Sequence, residues 1–221
     1  MSVVRIRREG QRIMMRAAHA DVEVSPDDVR DAAAAVVRAV LGVRSEGSRA
    51  RRLHIGAGEH GSVARLDGEE QTTPVDVGVA VEWLRALGDA PLAWDLRDAF
   101  VSLRLCGVTV WTAGSRTAAT FGLALSLPLE HGGVFFGEEA PFEGASPTAL
   151  VPEGHPDEPT VHLLAYTRRR YGLQLQEVGR VPVRAAEFRA LHRQLLGLLR
   201  ALTLEQPQAA GALRTLEALG R

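Results

Sequence analysis

The chain has 221 residues, 46% of them hydrophobic and 24% charged, with a formal net charge of −1. That length supports one domain or two small ones with a real core, and this apolar content at near-zero charge excludes disorder over most of the chain. No apolar run approaches the roughly 18–20 residues of a membrane helix, no basic-then-apolar leader opens the chain, and the single Cys106 makes neither an intrachain disulfide nor a four-thiolate zinc site, so a cytoplasmic protein is expected.

All 26 basic residues are arginine, lysine and asparagine are missing, and isoleucine occurs only at Ile6, Ile13 and Ile55. The codon usage of a GC-rich bacterium accounts for this pattern, so the number of arginines says little about phosphate or carboxylate recognition. Their placement says more. The charge balance is +4 over residues 1–52, −11 over 53–160 and +6 over 161–221. Basic ends around an acidic middle imply either interaction surfaces or complementary packing of the parts.

Val4-Arg5-Ile6-Arg7 alternates at period two and predicts a strand; strand character continues over 12–19 and 22–24. Ser25-Pro26-Asp27-Asp28 is a helix start, with a capping serine, a proline in the first turn and acids at the positive end of the dipole. Val29, Ala33, Val36, Val37 and Val40 then form one stripe before Gly42, predicting a helix over about 26–41. Residues 43–50 read as a loop, 51–55 and 62–66 as short strands, and Asp67-Gly68 as a turn with a further strand through Thr72. Thr73-Pro74-Val75-Asp76 repeats the capping pattern and predicts a shorter helix over about 74–88, followed by another from Pro91 to Phe100.

Val101-Leu103-Leu105 and Val108 to Thr112 read as strands, with Ala113-Gly114-Ser115 as a hairpin turn. Phe121, Leu123, Leu125 and Leu127 alternate with small residues, which predicts a central strand. Residues 128–159 hold Glu130, Glu138, Glu139, Glu143, Glu153, Asp157 and Glu158 with no arginine, and read as a long acidic loop, with Val134-Phe135-Phe136 as a short strand or hydrophobic anchor. Strands follow at 161–167, 171–178 and 181–183, with Arg168-Arg169-Arg170 at a turn. A helix over about 184–204 sets Phe188, Leu191, Leu195, Leu198, Leu199 and Leu202 on one side, and a short helix closes the chain over 209–219. The expected fold is α+β, with largely antiparallel sheets and two long amphipathic helices. It forms one domain over 1–221, or two sheet-plus-helix halves of about 1–100 and 101–221.

No motif marks a reaction. Gly56-Ala57-Gly58-Glu59-His60-Gly61 matches the dinucleotide-binding string, but the Asp67-Gly68 turn leaves no room for the helix that must receive a pyrophosphate, so a hairpin is expected. His54, Glu59 and His60 lack metal-ligand spacing, and His19, His131, His155, His162 and His192 are scattered; no metal and no cofactor are expected. An unmarked enzyme site would have to use His54, Glu59 or His60. Nucleophile motifs are missing, a chain without lysine has neither a P-loop nor a Schiff base, and Cys106 reads as a small buried residue.

The leading expectation is a non-enzymatic binding, adaptor or neutralising protein. Its acidic segment would meet a basic protein partner, or another copy, through Phe135, Phe136, Glu138, Glu139, Phe142 and Glu143. The alternative is single-stranded nucleic-acid binding on a basic sheet face formed by Arg5, Arg7, Arg168, Arg169, Arg170 and Tyr171. Antiparallel strands followed by a long helix are similar in outline to the Whirly and PUR-type arrangements, although no motif of either carries over.

Overall fold

The structure, a computed structural model, describes residues 4–10, 12–17, 20–42, 53–58, 61–66, 72–97, 100–127, 133–155, 157–170, 172–205 and 209–217. Among these the fold is α+β with four antiparallel sheets, each a run of consecutive strands that ends in a helix. The chain divides into two compact units, Met1–Pro91 with Leu105–Val108, and Leu92–Arg104 with Thr109–Arg221.

In the first unit β1 (Arg5–Glu9), β2 (Arg12–Ala17) and β3 (Ala20–Val24) form a meander that leads into α1 (Pro26–Val40). The expected cap is a full capping box: Ser25 Oγ accepts from the Asp28 amide at 3.1 Å, and Asp28 Oδ2 accepts from the Ser25 amide at 3.3 Å. A second meander of β4 (Leu53–Gly58), β5 (Gly61–Leu66) and β6 (Thr73–Val75) leads into α2 (Val77–Leu87). The glycine string falls in the β4–β5 hairpin, where Gly58 faces Gly61 and a strand follows, so there is no helix end to receive a phosphate.

The start predicted at Pro74 is corrected. Thr73-Pro74-Val75 is strand, the cap is Asp76, and its Oδ1 accepts from the Val79 amide at 2.8 Å. Proline is tolerated there because β6 is an edge strand, where a missing N–H breaks no ladder. The alanines of α1 let α2 come close, and Trp83 on α2, 1% exposed, donates its indole N–H to the Val4 carbonyl at 3.0 Å.

In the second unit, apart from the residues Leu105 and Val108 that count with the first, β7 (Leu92–Arg97), β8 (Phe100–Leu105) and β9 (Val108–Gly114) precede α3 (Ser115–Ala124). Two expectations reverse here. The helix predicted over 91–100 is strand β7, where Leu92 and Trp94 are buried while Asp95 and Arg97 are exposed. The strand predicted over 121–127 is the end of α3 and the turn after it; Ala118, Ala119, Phe121, Gly122 and Ala124 are buried together, so the helix shows too little polar surface to reveal its period. Ala113-Gly114-Ser115 is the passage from β9 into α3, not a hairpin turn. The hairpin turn lies at Cys106-Gly107, with φ of 48° and 79°, the left-handed pair of a type I′ turn.

The fourth sheet has the order β10 (Phe135–Phe136), β11 (Thr148–His155), β12 (Glu158–Arg169), β13 (Gly172–Pro182), and is followed by α4 (Ala185–Glu205) and α5 (Ala209–Glu217). Residues 148–155 and 158–159 of the expected acidic loop are therefore strand. Pro152 fits in β11 because β10 is too short to reach its N side. One sheet face carries Leu150, Val161, Leu163 and Val181 into the core, and α4 buries Leu191, Leu195, Leu199 and Leu202. No described helix is long and apolar enough to cross a membrane.

Candidate functional site

The segment 133–147 of the second unit carries the expected binding residues, and the structure separates them by task. Phe135 is half-buried: its ring meets Phe121 at 5.4 Å, edge to face, and its carbonyl accepts from the Trp111 indole at 3.0 Å. Beside it, Trp94, Trp111 and Phe121 form an aromatic cluster with centroids 5.7–6.2 Å apart. Glu138 also serves its own unit. Its amide donates to the Thr112 carbonyl at 2.9 Å, and its carboxylate accepts from the Gly114 amide at 2.7 Å, at the start of a helix that has no side-chain cap of its own. The Gly137 amide donates to the Thr148 carbonyl at 2.8 Å and the Thr148 hydroxyl to the Val110 carbonyl, so this stretch laces β9 to the fourth sheet.

Phe136 points the other way. It is 38% exposed, lies on the outer face of the sheet, and meets Tyr166 edge to face at 5.2 Å and 89°. Tyr166 is held from two sides: its hydroxyl donates to the Gly137 carbonyl at 3.2 Å and its amide to the Pro147 carbonyl at 2.9 Å. Two clefts lie along this segment, and Tyr166 lines the first of them. One, of about 460 Å³, is lined by Glu138, Glu139, Ser146, Pro147, Tyr166 and Arg168. The other, of about 370 Å³, is lined by Arg97, Phe100, Thr112, Glu139, Phe142 and Glu143. Glu139 lines both, and each cleft sets one arginine among its glutamates.

Further along the same outer face, buried His162 stands between two carboxylates, Nε2 at 2.6 Å from Glu153 and Nδ1 at 2.8 Å from Glu177. One imidazole satisfies both only when both ring nitrogens carry hydrogen. The hydrogen bond from His162 holds the Glu177 carboxyl below the usual carboxylate range, with Arg180 contributing less. The two glutamates grip opposite ends of the ring, so their lone pairs do not converge, and among the described residues no three such side chains gather to hold a metal ion.

Elsewhere the chemistry is quiet. Burial pushes the Cys106 thiol up to about 12, far from a thiolate at neutral pH. His192 on α4 has a buried Nε2 without a hydrogen-bond partner, and burial pushes its imidazole below the ordinary histidine value. His54 is exposed on β4 opposite Arg65; Glu59 and His60 lie outside the described residues. The proposed basic face does not form one surface of one sheet. Arg5 and Arg7 belong to β1–β2–β3 of the first unit, whereas Arg168 and Arg169 belong to the fourth sheet of the second, with Arg170 at its turn and Tyr171 outside the described residues.

Sequence reasoning missed the Glu153–His162–Glu177 group and the role of Tyr166. The only available signal was pairing: His162 faces Val151 and Arg180, so each glutamate reaches it diagonally from a neighbouring strand. The chain matches no protein-family model, no curated protein and no solved structure.

Proposed function

We propose that this chain is a non-enzymatic protein-binding module, an adaptor or neutralising protein, that receives a partner segment at Phe136 and in the two clefts that meet at Glu139. The observation that supports this most is exposed Phe136 stacked edge to face on half-buried Tyr166, which lines one of two clefts that share Glu139. An exposed aromatic anchor held rigid by its neighbours loses little entropy on binding, as interface hot spots require. Glu139 and Glu143 suit a basic side chain, and Phe136 with Phe142 an apolar one, so the partner segment combines both. Phe135 and Glu138 serve the fold rather than the partner.

The test is affinity capture of the tagged chain from its native cells, with wild type beside Phe136→Asp and Glu139→Arg/Glu143→Arg. The reading expects a partner that wild type recovers and both variants lose by about tenfold or more, while circular dichroism melts stay superimposable. If both variants recover every protein that wild type does, the clefts are not the docking site.

A further inference from the structure

The far end of the β12–β13 ribbon stands clear of its own core. Every described residue from Thr167 to Glu177 is exposed, including Leu173 at 49% and Leu175 at 42%. A two-stranded ribbon in water is marginal, and two leucines on its surface need cover.

β13 is also the last strand of its sheet, paired among the described residues with β12 alone. Natural sheets guard such an edge with charge, proline or a bulge. Here the guards stand only at the near end: the register shift opposite Leu163/Leu164, then Arg180 and Pro182. Gly172-Leu173-Gln174-Leu175-Gln176 has neither charge nor proline.

We propose that this stretch pairs antiparallel with the same stretch of a second copy of the chain, centred on Gln174, and so joins two four-stranded sheets into one. Antiparallel partners in a sheet share a face, so the alternation carries across the joint. Leu173 then meets Leu175 of the other copy, and Leu175 meets its Leu173. On the opposite face, Gln174 meets Gln174, where two amides can bond to each other.

Each Leu175 already lies opposite Tyr166 within its own sheet, so the apolar row runs through to the Tyr166–Phe136 pair. Charge selects this arrangement. Antiparallel pairing keeps the two Arg168-Arg169-Arg170 tips at opposite ends of the joint, whereas parallel pairing would stack them on each other. The self-match of the leucine spacing, with the arginine tips held apart, is what points to a second copy rather than a foreign strand. The inference uses the β13 edge and not the clefts, so the two proposals fail separately.

The experiment is sedimentation velocity on the full chain over a concentration series. So small a joint gives a dimer with a dissociation constant on the order of micromolar. Leu175→Lys weakens it by about tenfold or more, and Glu139→Arg/Glu143→Arg leaves it unchanged. In mild oxidant Gln174→Cys yields a disulfide-linked dimer and Thr167→Cys does not, with Cys106 too deeply buried to interfere. A wild-type chain still monomeric at on the order of 100 μM overturns the proposal. So does a dimer that Leu175→Lys leaves intact and Gln174→Cys does not cross-link.

Discussion

His162 sits on the middle strand of a three-strand run, and its two carboxylate partners come from the strands on either side. In the sequence the three are nine and fifteen residues apart, a spacing that matches no local motif. Ser25 and Asp28 lie three apart, and the capping box between them was legible at once because helix geometry brings such pairs together. Glu138 shows the same contrast from the other side. Its charge suggested a partner, but its carboxylate is used at the start of α3, which lies earlier in the chain. Linkage gives the His162 group a measurable consequence. Glu177 is held below the ordinary carboxylate value of about 4.3, so its contribution to stability is present above that value and is lost as pH falls through the depressed one. In His162→Phe the Glu177 titration, followed by carboxyl carbon NMR, moves up toward the ordinary range, and stability falls less steeply with acid. An unmoved Glu177 midpoint would show that Arg180 alone sets it.

At the scale of elements, local signals succeeded where one face of an element meets water. α1, α2 and α4 each keep a polar side and carry clear stripes. α3 and β7 were interchanged because neither shows its period plainly. α3 is buried on several sides, and β7 offers only three residues on each face. β8 is similar: Ser102, which reads as an outward polar position, is buried and shares a 2.9 Å hydrogen bond with Thr112. Gly122 explains how α3 packs so tightly. A β-carbon there would stand 2.5 Å from Leu195 Cδ2 on α4 and 3.4 Å from Leu216 Cδ1 on α5. Gly122→Val should therefore cost about 1–3 kcal/mol in urea unfolding despite the loss of a helical glycine. Combined with Leu195→Ala, which opens the same space, the loss should be smaller than the two single losses together. Simple additivity would place the strain elsewhere.

Across the whole molecule, the same plan of consecutive antiparallel strands and a closing helix recurs, and each unit contains it twice. Each unit has its own apolar core, and in the first the keystone is Trp83, buried on α2 and bonded to the Val4 carbonyl. Trp83→Ala should cost about 3–5 kcal/mol. Amide exchange should then lose protection in α1 and α2 more than in α4, whereas a uniform loss would mean the units share one cooperative transition. The uneven charge of the chain was visible from its sequence, but not its use: the basic ends fall in different units, and the acidic middle is divided between a cap, two clefts and a histidine clamp. By itself the sequence determined the α+β class, the antiparallel pairing and the amphipathic helices, since caps, turns and one-sided burial act over a few residues. Only the tertiary structure decided which glutamates and phenylalanines stay in solvent, because that depends on strand pairing between residues far apart in the chain.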